Sequence, residues 1–175
     1  MKTISRFAII ACVLALFPLG LHADDLTATI KKEAQNCANA VVANNLDGIV
    51  KYTHPRVIKS LGGEAAMVAA LKDGVAEMQA SGTGFISATI GTPQAPKKIG
   101  SWITSIVPEH IVMKVEGGKL LRDSYLLAIS EDGGHHWVFF DIGQTTKEHF
   151  AEVFPELAGQ VPLPAMKKPV FQENK

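Results

Sequence analysis

The sequence predicts an α+β fold: three N-terminal helices packed on a curved, cone-shaped antiparallel sheet, with a short C-terminal helix. Two observations carry this expectation. Apolar residues recur at helical spacing up to about residue 80, and from Phe85 onward the period changes to two. The long β segments that follow are joined by short Gly-rich turns, Gly117-Gly118 and Glu131-Asp132-Gly133-Gly134, the wiring of an antiparallel meander.

Residues 1–23 read as a secretory signal. Lys2 and Arg6 form a basic start, Phe7 to Phe17 is an unbroken apolar run of eleven, and Pro18 and Gly20 break it before Ala23. That run is well short of the ~20 residues that span a bilayer, so no permanent membrane anchor is expected. The mature protein is placed in the periplasm or outside the cell. Residues 24–160 then form one domain, and 161–175 a Pro-containing extended tail free to fray. Of the 17 Lys and Arg, two leave with the signal, so 15 remain against 17 Asp and Glu. This balance provides no electrostatic footprint for nucleic acid. An apolar content of 47% excludes disorder as the overall state. Cys37 remains as the single cysteine of the mature chain and reads as a small buried hydrophobe.

Asp24 to Ala43 is the first predicted helix, with the stripe Leu26, Ile30, Ala34, Cys37 and Val41 on one face and two aspartates at its positive end. Asn44-Asn45 breaks it, and Asn45 can cap a second helix, Leu46 to Tyr52. Thr53-His54-Pro55-Arg56 ends that helix, because a residue before proline avoids helical geometry. Gly62-Gly63 opens a third helix to about Ala80, with Met67, Leu71, Val75 and Met78 inward. Phe85 to Ile90 is the first strand, with Ile86, Ala88 and Ile90 sharing a side, and Gly91 to Gly100 is a loop. Trp102 to Val115 is a long strand that Pro108 should bend or bulge. Lys119 to Ser130 and His135 to Asp141 complete the meander. Thr145 and Glu148 have capping-box spacing for a last helix that stops at Pro155.

This order resembles the nuclear transport factor 2-like (cystatin-like cone) superfamily over Asp24 to about Phe154. The resemblance rests on the long first helix, the short second helix Asn45-Leu46-Asp47-Gly48-Ile49-Val50-Lys51-Tyr52, the third helix and the meander ending in Trp137-Val138-Phe139-Phe140-Asp141. It implies helices lying across the concave side of the sheet and an apolar pocket between the two layers. The superfamily includes ketosteroid isomerase, polyketide cyclases, scytalone dehydratase and members without known catalysis, so it implies no single activity.

Ser130-Glu131-Asp132-Gly133-Gly134-His135-His136-Trp137 looks like the Asp-box hairpin of sialidases. In one copy on a chain this short it reads as a structural turn. His135 and His136, adjacent on a strand, should point to opposite faces, so no metal site is expected. Alternation places Asp123 and Tyr125 on one face of their strand, opposite Arg122 and Ser124. His135, Trp137, Phe139 and Asp141 share a face of the last strand. If those two faces coincide, Asp123, Tyr125, Trp137, Phe139 and Asp141 line one cavity, with Tyr52 and His54 over its mouth.

No nucleophile, metal or phosphate constellation and no cofactor is expected. The leading expectation is therefore an exported soluble module that binds a small apolar molecule or a partner protein through a cone-shaped pocket. The competing one is a small cofactor-free isomerase, cyclase or hydratase, in which a buried Asp123 or Asp141 acts as base beside Tyr125 or Tyr52. A homodimer through the outer sheet face is left open.

Overall fold

The first helix, α1 (Ala23–Val42), buries Ile30, Ala34 and Ala38 completely and half-buries Leu26 and Cys37, so the apolar stripe faces the sheet. This computed structural model describes residues 23–165 and 167–174; apart from Ala23, the segment read as a signal lies outside them. The small Ala34 and Ala38 let α1 approach closely. Its Gln35 amide donates to Ala88 O at 2.9 Å and accepts from Ile90 N–H at 3.1 Å. Those two bonds occupy backbone groups on the open edge of the first strand, which would otherwise invite another chain.

α2 (Leu46–Tyr52) is capped by Asn45, whose side chain accepts from Gly48 N–H. The next stretch does more than end a helix. Thr53 forms a parallel bridge to Phe139, and His54 caps an additional helix, α3 (Pro55–Ser60). Proline at the first helical position lacks only an N–H that has no intrahelical partner there, so the same Pro55 that stops α2 starts α3. Among the described residues, four helices, not three, therefore precede the sheet. α4 (Glu64–Ala80) buries Met67 and half-buries Leu71, Val75 and Met78, as its spacing predicts.

Among the described residues the six strands are β1 (Gly84–Ile90), β2 (Lys97–Ile99), β3 (Trp102–Val115), β4 (Gly118–Ser130), β5 (Val138–Asp141) and β6 (Val170–Glu173). They form one curved, open antiparallel sheet of order β1-β3-β4-β5, with β2 on β3 and β6 on β4. α5 (Lys147–Val153) follows β5. β1 carries a register shift between Phe85 and Ser87. This bulge turns Ile86 out to solvent and puts Phe85 against the core in its place. β2 lies within the segment expected as loop. Pro108 neither bends nor slips the β3–β4 register: it sits opposite Tyr125 in an unbroken ladder. Its carbonyl faces Gly91 N–H just past the end of β1, so the missing N–H falls where no strand needs it.

Three further expectations change. β5 begins only at Val138. The cap of α5 is Thr146, which accepts from His149 N–H, and not Thr145. The tail is extended but paired, since β6 lies along Gly118 to Leu121.

Both faces of the sheet are covered. On one, here the α1 face, Ile30, Ala34 and Ala38 join Tyr52, Val107, Leu126, Ala128, Trp137 and Phe139. On the other, the α5 face, Trp102, Ile106, Leu127 and Ile129 pack with Phe150, Phe154 and Leu157. The helices are thus split between two sides, because the chain after β5 doubles back beneath the sheet.

Gly118 is the seat of β6. A Cβ there would lie 2.2 Å from Gln172 O and 2.9 Å from the Phe171 ring. Gly118→Ala should therefore detach β6 alone: amides of Val170–Glu173 lose hydrogen-exchange protection. Because the side chains of β6 are exposed, Tm should move by no more than about 4 °C, the equivalent of about 1 kcal/mol.

Candidate functional site

Register decides which polar side chains meet. β4 pairs with β5 so that Leu126 faces Asp141 and Ala128 faces Phe139. The even-numbered residues of β4 therefore share the α1 face with Phe139 and Asp141. Asp123 and Tyr125 point to the opposite side, and the expected cavity uniting them with Trp137, Phe139 and Asp141 does not form. Arg122 and Ser124 take their places. β3 brings Glu109 opposite Ser124 on this same face, diagonal to Arg122.

The result is a polar cluster at the edge of an apolar core. Asp141 Oδ1 accepts from Ser124 Oγ at 3.0 Å and from Gly143 N–H at 2.8 Å, and its Oδ2 accepts from Arg122 at 3.3 Å. Arg122 also donates to Ser124 Oγ at 3.3 Å. With its amide oxygen turned inward, Gln144 accepts from both terminal nitrogens of Arg122. Gly143 is required here, because a Cβ would come within 2.2 Å of Ser124 Oγ.

One atom in the cluster stays unmatched: among the described residues, Arg122 Nε is buried without a hydrogen-bond partner. Glu109 is only 9% exposed, and burial, reinforced by the Asp141 charge and opposed by Arg122, pushes its carboxyl up to about 7. Cys37 on α1 lies near enough to Glu109 that burial and this carboxylate together push its thiol up to about 12, which makes it an inert thiol.

The remaining candidates separate into structural roles. Trp137 and Phe139, each 4% exposed, are core residues that fill the space between α1 and the sheet. Tyr52 packs its ring on Phe139 and donates its hydroxyl to Glu33 at 2.9 Å; burial and the Glu33 carboxylate raise its pKa. His54 is 2% exposed, stacked on Trp102 and edge-on to Phe154. Its Nδ1 accepts from Arg56 N–H, so the ring proton sits on Nε2 and is donated to Glu131. Burial lowers its pKa, partly offset by Glu131.

On the α5 face, Asp123 accepts from His110 Nδ1 at 2.9 Å and from Lys167 at 3.0 Å, and both partners hold its carboxyl below the usual range. With Tyr125, Pro108 and Thr89 these residues line an open cleft of about 260 Å³. A more apolar groove of about 480 Å³ lies between α5 and residues 158–163.

His135 and His136 sit in the turn before β5, not on the strand. Asp132 accepts from both their backbone N–H groups and from Ser130 Oγ, while Trp137 Nε1 donates to Gly134 O. Among the described residues, no group of three or more His, Cys, Asp or Glu is placed to hold a metal. Nor is any helix among them long and apolar enough to cross a membrane.

Glu109, Arg122 and Ser124 were absent from the residues that alternation singled out. The two-residue turn at Glu116-Gly117 could have aligned Glu109 with Ser124. Nothing local aligns β5, because the turn before it is irregular. The fold and site define an α+β protein with a partly paired Arg122 and a buried Glu109 on the α1 face of its sheet. Compared with known protein-family models and with curated proteins, the chain matches neither a model nor a curated relative.

Glu109 binds a proton up to about pH 7 when folded, against its ordinary 4.5. The native state therefore holds more protons across that window, and stability falls as pH rises through it. Urea unfolding near pH 5 and near pH 8 should show wild type losing about 2.5 kcal/mol more than Glu109→Gln. For His54, replacement by Asn keeps a cap acceptor but removes the ring. Thermal unfolding should find His54→Asn less damaging than His54→Ala by about 1 kcal/mol.

Proposed function

We propose that the protein is an exported, noncatalytic member of the nuclear transport factor 2-like superfamily. On this reading it binds a small, largely apolar molecule at the polar end of the α1 face. The observation that carries this reading is Arg122 Nε, a buried donor without a partner among the described residues, on the same sheet face as the buried Glu109 and at the edge of an apolar core. A buried donor left without a partner costs about 1–3 kcal/mol, and native proteins rarely retain one without a use. A ligand oxygen would reach this donor by displacing the exposed Gln144 side chain that covers the guanidinium. Asp141 belongs to this site as the group that positions Arg122. Tyr52, Trp137 and Phe139 support it from the core.

A second reading has one observation in its favour. A carboxyl with a pKa of about 7 suits general acid–base work, so a cofactor-free isomerase, cyclase or hydratase would use Glu109 rather than Asp123. Incubation in deuterated water separates the two: an enzyme of this class exchanges hydrogen into its bound ligand, and a binding module does not.

Native mass spectrometry of the protein purified from its own envelope should show a small noncovalent adduct. Arg122→Met should retain the fold by circular dichroism and weaken the adduct by about tenfold or more, the cost of one charge-assisted hydrogen bond. An adduct unaffected by Arg122→Met, or a ligand-free wild type, would count against the reading.

A further inference from the structure

We infer that the protein pairs with a second copy of itself, strand against strand, along the outer edge of β6 about a two-fold axis at Phe171. The first argument is which sheet edges are covered. Gln35 occupies backbone groups of β1, and Thr53 bridges to Phe139 on the outer side of β5. β2 is three residues long, and a very short edge strand offers little to pair with. β6 has neither protection. Among the described residues it pairs with β4 alone, and all four of its side chains are exposed. Two of them are large and apolar, Val170 at 62% and Phe171 at 54% exposure.

The second argument is the direction of the backbone groups. Asn174 N–H donates to Gly117 O at 3.0 Å, in the same register that sets Gln172 opposite Lys119 and Val170 opposite Leu121. Antiparallel bonding alternates along a strand, so these three residues turn their N–H and C=O groups to β4. Phe171 and Glu173 turn theirs outward, as does the Pro169 carbonyl. A two-fold axis at Phe171 sets this residue opposite Phe171 of the second copy, and Glu173 opposite the other Pro169. Each Phe171 N–H then donates to the other Phe171 carbonyl, and each Glu173 N–H to the opposite Pro169 carbonyl. Proline withholds one N–H per copy, which leaves only the Glu173 carbonyls to water.

The third argument is continuity. On the α1 face, Phe85, Met113, Leu120 and Phe171 stand opposite one another across β1, β3, β4 and β6. The first three are half-buried, and the row ends in water at Phe171. A second Phe171 across the axis joins this row to its equivalent in the other copy and covers both rings. Charge favours the same arrangement. Lys167 and Lys168 lead into β6 and Glu173 ends it, so antiparallel pairing lays the basic start of one copy beside the acidic end of the other. The contact is isologous and therefore closes as a dimer.

Sedimentation velocity from about 5 to about 500 µM should show a reversible shift from one copy towards two, because a four-residue edge buries less than the ~1,200 Å² of a stable interface. Phe171→Pro removes an outward N–H and the ring, but no bond to β4. It should keep the circular dichroism spectrum of wild type and weaken self-association by about tenfold or more. Cysteines read the register. Under mild oxidation Phe171→Cys should link the two 171 positions, whose Cα atoms would lie ~5.5 Å apart, within disulfide reach. Gln172→Cys, set opposite Val170, should link far less, with the joined peptides identified by mass spectrometry. A protein that stays monomeric throughout that concentration range overturns the inference. So does self-association that Phe171→Pro leaves intact, or Gln172→Cys linking as readily as Phe171→Cys. A monomer that holds a strand of a different protein on this edge overturns it as well.

Discussion

The pairing of β3 with β4 is the constraint on which the rest depends. Thirteen consecutive residue pairs, from Ile103 with Ser130 to Val115 with Gly118, run without a slip. A slip of one residue between β3 and β4 would put Glu109 on the face opposite Arg122 and Ser124 and bring His110 to their side in its place. Apolar burial on both faces holds the register: Val107, Leu126 and Ala128 lie on one side, Ile106, Leu127 and Ile129 on the other. β1, β5 and β6 are all aligned against these two strands.

Within that frame the polar cluster is a local departure from good packing. A carboxyl kept largely out of water and a guanidinium with a buried, unpaired Nε–H both oppose folding. The compensation is nearby: Asp141 is held by Ser124, Gly143 and Arg122, and Gln144 covers the guanidinium. The cluster is thus hydrogen-bonded on its β5 side and, among the described residues, leaves Arg122 Nε unpaired.

His54 organises the opposite end of the molecule. It touches α3 through its cap, β3 through Trp102, the chain after α5 through Phe154 and the Asp132 turn through Glu131. Arg56 adds a second tie, lying over Trp102 at 4.9 Å and pairing with Glu156 at 2.7 Å. The Asp132 turn is closed by its own backbone N–H groups, so its likeness to an Asp-box hairpin finds its physical meaning in local hydrogen bonding.

Periodicity by itself determined the α+β class, the extents of α1, α2 and α4 and the two long strands, because each of these buries a face that repeats at 3.6 or 2 residues. It missed α3 because proline both ends and begins helices. It missed the pairing of β6 because a strand with four exposed side chains leaves no apolar pattern. Alternation did separate Asp123 and Tyr125 from Arg122 and Ser124, but it could not say which pair faces Asp141. The stretch Leu126-Leu127-Ala128-Ile129 is apolar on both sides, since both sides are covered. Only the tertiary structure made that choice, through a β4–β5 register that no local turn rule encodes.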